Sequence, residues 1–356
     1  MVYTIKIDFS RVYAKNYKRY MILPVILFFV LPIIAFIYPG IERGIDLSGG
    51  TLIIVRSERQ ISSENLEGVL SKYDLTELTV VPFSGGVQVH FGASKKIEAA
   101  SRYIKDAEST LSSNPQQSQA YCQNAFSELS PFYKAEAPKD PKECIEEARK
   151  AILLSRDFLK ESINRDIKAT LNLTESEVER IQYTEISPAL GALFWGAAIK
   201  AVVIAAILLF VLMFIFFRDF FPVIAILQAG LFDVLFALAA LALLRVPFSL
   251  VTLSALLMLV GYSIDTDIML TARVLKSSGK PSDNAASALK TGLTMTGITI
   301  VTAAIMLVFS SIYAIDIIFG ISVVLFFGLV GDLISTWLMN APAIVWYVEK
   351  KGAKQR

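Results

Sequence analysis

Four aspartates lie within long apolar stretches of this sequence, and they are the residues most able to do chemistry. Asp265 and Asp267 stand in GYSIDTDIML, Asp233 in QAGLFDVLFAL and Asp332 in GLVGDLISTW. A charge near the centre of a bilayer costs at least about 2.5 to 3.5 kcal/mol on insertion scales, so intramembrane acids usually face a partner, a cavity or an ion path. Apolar surroundings favour the protonated form of a carboxylic acid. The sequence therefore predicts that these acids handle protons.

The positions of the acids along their spans allow them to meet. At a rise of 1.5 Å per residue, Asp265 lies roughly 12 Å from Arg273, which ends its apolar run. By the same count, Asp233 lies roughly 18 Å from the cytoplasmic start of its span, and Asp332 roughly 21 Å from the outer start of its own. By this count, all of them could meet in the inner half of the membrane.

Asp265 and Asp267 must face different neighbours, because two residues correspond to about 200° around a helix. Asp267 lies one turn from Ser263 and Thr271. Small residues let helices approach closely, and hydroxyl groups can satisfy an acid. The fifth span carries a small, partly hydroxylated stripe of this kind: Gly292, Thr296, Thr299 and Ala303. The alternative is that the aspartates are protonated, hydrogen-bonded packing elements, above all Asp332 beside Gly331.

Six apolar blocks must hold these acids. The chain of 356 residues is 54% hydrophobic with a mean hydropathy of +0.55, which is typical of a membrane protein. A spanning helix takes about 20 residues. The predicted spans are 21–38, 196–217, 221–244, 248–272, 291–315 and 318–347. The domain plan is a cytoplasmic N-terminus (1–20), transmembrane helix 1 (21–38), an inserted water-facing domain (39–188), transmembrane helices 2 to 6 (189–347) and a cytoplasmic tail (348–356).

Basic residues set the expected orientation, because cytoplasmic ends of spans collect Lys and Arg. They precede the first span, follow the fourth and fill the tail, whereas the opposite loops hold only Arg245. Both termini are therefore predicted to be cytoplasmic and the domain extracytoplasmic, in a multi-pass protein of the cell membrane. A cleaved signal peptide is the other interpretation of the first block, but that block is long for one and Tyr38, Pro39 and Gly40 make no typical cleavage site.

The inserted domain has the pattern of a small α+β fold. A β-branched run at Thr51–Val55 predicts a strand, Ser62 to Leu70 predicts an N-capped helix, and ELTVVPF and GGVQVHF predict two more strands. Helix-forming sequence follows to about residue 171, before a last strand in RIQYTEISP. We expect an α+β ferredoxin-like domain, βαββαβ, with a helical insert at about 95–140. Cys122 and Cys144 could pair there or remain buried thiols.

The sequence shows no ligand spacing for a metal ion and no motif for a cofactor. His90 alternates with valines in a strand, so it is expected on a sheet face. The glycine turn GIDLSGGT could bind an anion through its amides, but a tight turn is the commoner role. Without a G-x-x-x-x-G-K-[ST] motif, direct use of ATP is not expected. We predict no metal, no cofactor, no nucleic-acid partner and no enzymatic activity.

Several of these stretches resemble one family. GIDLSGGT, the arrangement of one plus five spans around a single outer domain, PFSLVTLSALLMLVGYSIDTDIMLTARV and LKTGLTMTGITIVTAA are similar to the SecF family of protein-export subunits, its archaeal members above all. The resemblance covers most of the chain except the insert. It implies a fold similar to resistance-nodulation-division transporters, a heterodimer with SecD, contact with the Sec channel and exported polypeptides, and use of the proton gradient.

The resemblance also maps individual residues. Asp233 matches the acid in the third span of family members. The bacterial fourth-span pattern is similar to G-Y-S-I-N-D-T, which aligns Asp265 with the Asn, Thr266 with the Asp and Arg273 with a later Arg. Bacterial members tend to carry an arginine in the fifth span where this chain has Met295. The resemblance leaves open which acid carries the proton, and implies that SecD or the threonines replace the missing charge.

Two other classes would also place acids in a membrane. An intramembrane aspartyl protease needs Y-D and G-x-G-D, but here Phe232 precedes Asp233, and the glycines before Asp332 are spaced one residue too far apart. A proton-coupled small-molecule exporter of the resistance-nodulation-division type is the stronger alternative, although such chains usually hold two six-helix halves. The predicted proton-handling residues are Asp233, Asp265, Asp267 and Asp332, supported by Ser263, Thr266, Arg273, Thr296 and Thr299.

Overall fold

The computed structural model describes residues 13, 17–56, 63–76, 78–83, 86–171, 181–186, 188–313 and 315–354. Arg11 and Lys15 of the predicted cytoplasmic end, the predicted N-cap Ser62 and the turn at 84–85 lie outside these ranges. The chain divides into two compact units. One combines Met1–Leu47 with Ala192–Arg356, and the other is Ser48–Gly191.

The elements follow one another with short connections. In chain order, the helices are α1 Ile22–Phe36, α2 Ile45–Ser48, α3 Ser63–Leu70, α4 Lys95–Thr110, α5 Pro115–Leu129, α6 Pro141–Leu171, α7 Pro188–Phe217, α8 Phe220–Leu243, α9 Leu250–Lys276, α10 Pro281–Ile312, α11 Asp316–Ile334 and α12 Ala341–Lys354. The strands are β1 Gly50–Arg56, β2 Thr79–Phe83, β3 Gly86–Phe91 and β4 Gln182–Ile186. Two 3₁₀ helices, Tyr17–Met21 and Ser71–Tyr73, and a π-helical segment, Ser335–Asn340, complete the described secondary structure.

Within the described part of the chain, six helices are long and apolar enough to cross a membrane. They are Arg19–Phe36, Leu190–Phe217, Phe220–Leu243, Leu250–Lys276, Pro281–Ile312 and Asp316–Lys351. The fifth span, α10, begins ten residues before its apolar run. Pro281 in its first turn and the acid Asp283 favour a helix start there. The third, fourth and sixth spans form the interior of the bundle, whereas the second exposes nearly all its side chains.

The sixth span is not a continuous α-helix. It runs as α11, changes to the π-helical segment at Ser335 and resumes as α12 at Ala341. A π-helical turn inside an α-helix is rare and frequently marks a functional site. This change of winding positions several of the polar residues described below.

The glycine turn after the first span fixes the start of α9. Asp46 accepts a hydrogen bond from the Leu250 amide at 2.6 Å, and Ser249 and Thr252 form a reciprocal capping box at the same helix start. Gly44 bonds the Phe248 carbonyl at 2.7 Å. A Cβ at Gly44 would lie 2.8 Å from an Asp46 carboxylate oxygen and 3.1 Å from Ser249 Cβ, so a larger residue would disturb this contact. The motif therefore serves as a structural clamp on the helix that carries Asp265 and Asp267.

The second unit contains one four-stranded antiparallel sheet in the order β2-β3-β1-β4. Its elements follow the chain order strand, helix, strand, strand, helices, strand. Alternate residues of β1 and β3 face the helices: Ile53 pairs with Val89 and Val55 with Val87, and all four are fully buried. This period-two burial is what the β-branched runs predict.

Helices α3 to α6 cover that sheet face and enclose one apolar core. Leu66 and Leu70 of α3 are fully buried in it, as their helical spacing predicts. α4 ends at Thr110, just before the SSNPQQ stretch, and α6 begins at Pro141. Cys122 and Cys144 form a disulfide that joins α5 to α6. The pairing that the sequence left open is thus made in the structure.

Candidate functional site

Three of the four intramembrane aspartates meet in the interior of the bundle. Asp233 comes from α8, Asp267 from α9 and Asp332 from α11, and each is fully buried. We call these three residues the acid cluster. Hydroxyl and amide side chains from three spans surround it: Ser263, Thr296, Ser335, Thr336 and Asn340.

Small residues allow the helices to approach closely enough for these contacts. A Cβ at Gly331 would lie 2.8 Å from Phe236 Cβ and 3.5 Å from the Cα of Asp233, so glycine permits the crossing of α11 and α8. On α10, a Cβ at Gly292 would collide with the indole ring of Trp337. These two glycines bring the third, fifth and sixth spans together around the acids.

Asp233 is held by two serines from different helices. Ser335 donates to Asp233 Oδ1 at 2.6 Å, and Ser263 donates to Asp233 Oδ2. Both carboxyl oxygens are therefore satisfied by hydroxyl groups. Such a carboxyl group stays hydrogen-bonded whether or not it is protonated, because a hydroxyl can donate or accept a hydrogen bond.

Thr336 lies between the other two acids. Its Oγ1 is 2.9 Å from Asp267 Oδ1 and 3.0 Å from Asp332 Oδ1. A hydroxyl carries a single proton, so Thr336 can donate to one of these carboxyls only. The other contact becomes a full hydrogen bond when that carboxyl carries a proton and donates it to Thr336 Oγ1. The geometry thus fits a cluster that holds at least one shared proton.

Asp267 and Asp332 each have one further hydrogen bond. The Asn340 amide donates to Asp267 Oδ1 at 2.7 Å, and Thr296 donates to Asp332 Oδ2 at 3.4 Å. None of the ion pairs among the described residues includes a member of the acid cluster. Among the described residues, the partners of these acids are therefore hydroxyl and amide groups and not Lys or Arg.

The remaining predicted residues lie elsewhere. Asp265 is exposed on the opposite face of α9 from Asp267, as their separation of about 200° predicts, so it does not join the acid cluster. Thr299 bonds the Met295 carbonyl of its own helix, and Thr266 packs near Gly292. Arg273 donates to the Ser287 carbonyl and to Thr291 Oγ1, at 3.1 and 3.0 Å. It holds α9 to α10 and does not contact an acid.

The sequence reasoning missed Ser335, Thr336 and Asn340. The signal was present, because these polar residues follow Asp332 at intervals of three, four and eight and so share one helix face. Apolar residues stand among them, including the tryptophan and methionine of STWLMN, and these concealed the pattern. The π-helical winding that carries them has no reliable sequence signature.

The fold and this site define a multi-pass membrane protein with a buried carboxyl cluster at the junction of four spans. The model of the family described as protein export membrane protein SecD/SecF, C-terminal, matches residues 166–350. SecF from Methanocaldococcus jannaschii is 30% identical over 96% of this chain and 99% of its own length. SecF from Methanothermobacter thermautotrophicus is 26% identical over 95% of both chains.

A solved structure has a similar fold. SecDF from Thermus thermophilus, described as a translocon-associated membrane protein, matches with a TM-score of 0.57 at 17% identity. The match covers 97% of this chain but 39% of that one. The chain belongs to the SecF family of protein-export membrane proteins.

Proposed function

We propose that this chain acts with a SecD-like subunit to promote protein export by the Sec channel, and that the proton gradient drives the process through the acid cluster. An accessory role in Sec protein export follows from the family. The partner, the driving ion and the residues that carry it constitute the proposal. The contacts of Thr336 are the observation on which it chiefly rests.

The acid cluster has the properties needed for reversible protonation. Its three carboxyls are buried without a basic partner among the described residues, and hydroxyls hold them in place. Each proton that crosses a membrane at about 100 mV releases roughly 2.3 kcal/mol. Because the cluster joins the third, fourth and sixth spans, a change in its protonation would alter how these helices pack. Such a change could do mechanical work on the protein to be exported.

Asp265 supports the proposed partner. It is exposed on α9, and Tyr262 on the same helix and Met295 on α10 are 45% and 49% exposed. Lipid cannot satisfy an exposed carboxyl within a membrane, so this face needs a covering protein with a hydrogen-bond donor or a cation. The solved SecDF chain is more than twice as long as the part matched here, which leaves room for a second half in that protein. We assign the face of Asp265 to the SecD-like partner.

We also propose that the Ser48–Gly191 unit is an extracytoplasmic ferredoxin-like domain and that both termini are cytoplasmic. The strand order β2-β3-β1-β4 and the chain order of its elements support this fold. The disulfide between Cys122 and Cys144 supports an oxidising compartment outside the cytoplasm. Basic residues at the ends of the spans support the same orientation.

The test combines a pull-down with an export assay in native membranes. The chain carries a C-terminal tag, and export is measured with and without an uncoupler for wild type, Asp267→Asn, Asp265→Asn and the control Asp283→Asn. We expect a SecD-like protein and Sec channel subunits to co-purify with wild type. Asp267→Asn should remove only the uncoupler-sensitive part of export, Asp265→Asn should weaken recovery of the partner, and Asp283→Asn should do neither.

Two results would contradict the proposal. Uncoupler-sensitive export that persists in Asp267→Asn would show that the acid cluster is a packing element. Recovery of the chain without a different protein would assign the helix face that carries Asp265 to a second copy of the same chain.

A further inference from the structure

Tyr13, ahead of the first span, is buried in the bundle, although tyrosines near the ends of spans usually lie at the membrane surface. Its ring packs in an apolar cluster formed by α9, α10 and α12, which includes Leu270 and Ile344. Its hydroxyl donates to the backbone carbonyl of Trp337 at 2.9 Å, and this hydrogen bond is buried. The ring and the hydroxyl together therefore fix Tyr13 against the π-helical segment Ser335–Asn340.

The Trp337 carbonyl is a group that its own helix leaves without a regular donor. In an α-helix it would accept from the amide of Ala341, but that amide donates to the carbonyl of Thr336, one residue earlier. In a π-helix it would accept from the residue five positions on, which is Pro342 and has no N–H. Buried carbonyls are almost always paired. The Tyr13 hydroxyl thus supplies the hydrogen bond that the regular backbone donors do not provide.

This carbonyl belongs to the segment that reaches the acid cluster. Trp337 follows directly after Thr336, whose hydroxyl contacts two members of the cluster. Ser335 and Asn340, at the two ends of the segment, each bond a member as well. A π turn holds one more residue than an α turn, so a return to α winding would rotate the residues on one side of it by about 100°. The three side chains could then not all face the carboxyls.

We propose that Tyr13 is a positioning residue for the acid cluster. By bonding the Trp337 carbonyl, its hydroxyl stabilises the π winding that directs the polar side chains of the segment at the carboxyls. The consequence for export rests on the proposed function, whereas the effect on the winding does not. The competing explanation is that the Tyr13 ring only fills space in the apolar cluster. A residue of that kind needs its ring and not its hydroxyl.

The test measures amide hydrogen exchange of the full chain, purified in lipid nanodiscs, because exchange reports local opening of a helix. Tyr13→Phe keeps the ring and removes the hydroxyl. We expect exchange in the π-helical segment to become at least about threefold faster, the factor that corresponds to an average hydrogen bond between membrane helices. Exchange in α8 should stay as in wild type. Tyr347→Phe is the matched control, because it removes a tyrosine hydroxyl of α12 that bonds the Asp219 carboxylate instead.

Pro342→Ala separates the role of the hydroxyl from that of the ring. The substitution adds a backbone N–H at this position. In π winding the new amide can donate to the Trp337 carbonyl, and in α winding the amide of Ala341 can do so. In this background Tyr13→Phe should change exchange in the segment by less than about twofold, because the cycle then removes a donor that the backbone replaces.

Three results would overturn the inference. One is exchange in the π-helical segment of Tyr13→Phe that equals that of wild type. Another is an effect of Tyr13→Phe that is equally large with Pro342→Ala, since the hydroxyl would then not replace a missing backbone donor. The third is faster exchange throughout the bundle in Tyr13→Phe, which would show a general loss of stability in place of a local one.

This inference and the proposed function can fail separately. Faster exchange in the segment of Tyr13→Phe, in a chain whose export ignores the uncoupler, would keep the positioning role and remove the proton drive. Unchanged exchange together with uncoupler-sensitive export of wild type would do the reverse. Where both hold, Tyr13→Phe should reduce the uncoupler-sensitive part of export without weakening recovery of the SecD-like partner.

Discussion

Replacement of Thr336 by valine tests the geometry of the acid cluster most directly. Valine keeps the shape of threonine but removes the hydroxyl between Asp267 and Asp332. The bond to Asp267 joins two helices, and such bonds in membrane proteins average about 0.6 kcal/mol with a maximum near 1.7. Asp332 Oδ1 loses its partner as well, and a buried unsatisfied oxygen costs about 1 to 3 kcal/mol. We expect a total loss of about 2 kcal/mol, or up to about 30-fold in the unfolding equilibrium.

The assay is reversible unfolding of the purified chain in mixed micelles, followed as a double-mutant cycle with Asp267→Asn. The coupling energy between Thr336 and Asp267 should be about 0.6 to 1.7 kcal/mol. Thr336→Ser should retain most of the stability because it keeps the hydroxyl. Thr302→Val removes an exposed hydroxyl and should stay within about 0.5 kcal/mol of wild type. Equal stability of Thr336→Val and Thr302→Val, with no coupling, would refute the bridge.

Three further predictions concern packing, the disulfide and pH. Gly292→Ala should destabilise the bundle by about 1 to 3 kcal/mol, because the added Cβ would overlap with Trp337. Gly297→Ala should not destabilise it, because a Cβ there meets nothing within 4 Å. Thermal unfolding of both variants would measure the difference. Cys122→Ser should lower the stability of the Ser48–Gly191 unit by about 3 kcal/mol, because the disulfide closes a loop over 22 residues; unchanged protease resistance of that unit would contradict this. Lys72 and Tyr73 donate hydrogen bonds to Asp166 and lower the pKa of its carboxyl. These bonds therefore stabilise the folded unit fully at pH values above the usual Asp pKa, and the stabilisation is lost as the pH falls through the lowered pKa. Asp166→Asn should flatten the acid limb of a plot of stability against pH.

The sequence predicts well those features that depend on local pattern. Apolar length located the six spans, and β-branched alternation located β1 and β3, because burial of one face imposes a period of two on a strand. The angle between Asp265 and Asp267 was also predictable from helical geometry alone. These features require no knowledge of which helices touch.

Features that depend on contacts between distant helices were not predictable in the same way. The sequence offered Thr296 and Thr299 equally, yet only Thr296 reaches an acid, since the position of α11 relative to α10 decides between them. Thr336 contacts two acids because the sixth span changes its winding at Ser335. The choice of partners for each carboxyl is a tertiary property, and a single sequence constrains it weakly.

The use of hydroxyls in place of a basic residue has a physical consequence for the change of protonation proposed above for the acid cluster. If a buried arginine were paired with Asp267, protonation of the carboxyl would leave an uncompensated buried charge, and breaking such a pair costs about 3 to 5 kcal/mol. A hydroxyl such as that of Thr336 can turn from donor to acceptor when the carboxyl gains a proton. No buried charge is then left without a partner, so both protonation states remain accessible. A self-contained network of this kind suits a carboxyl that must bind and release protons repeatedly.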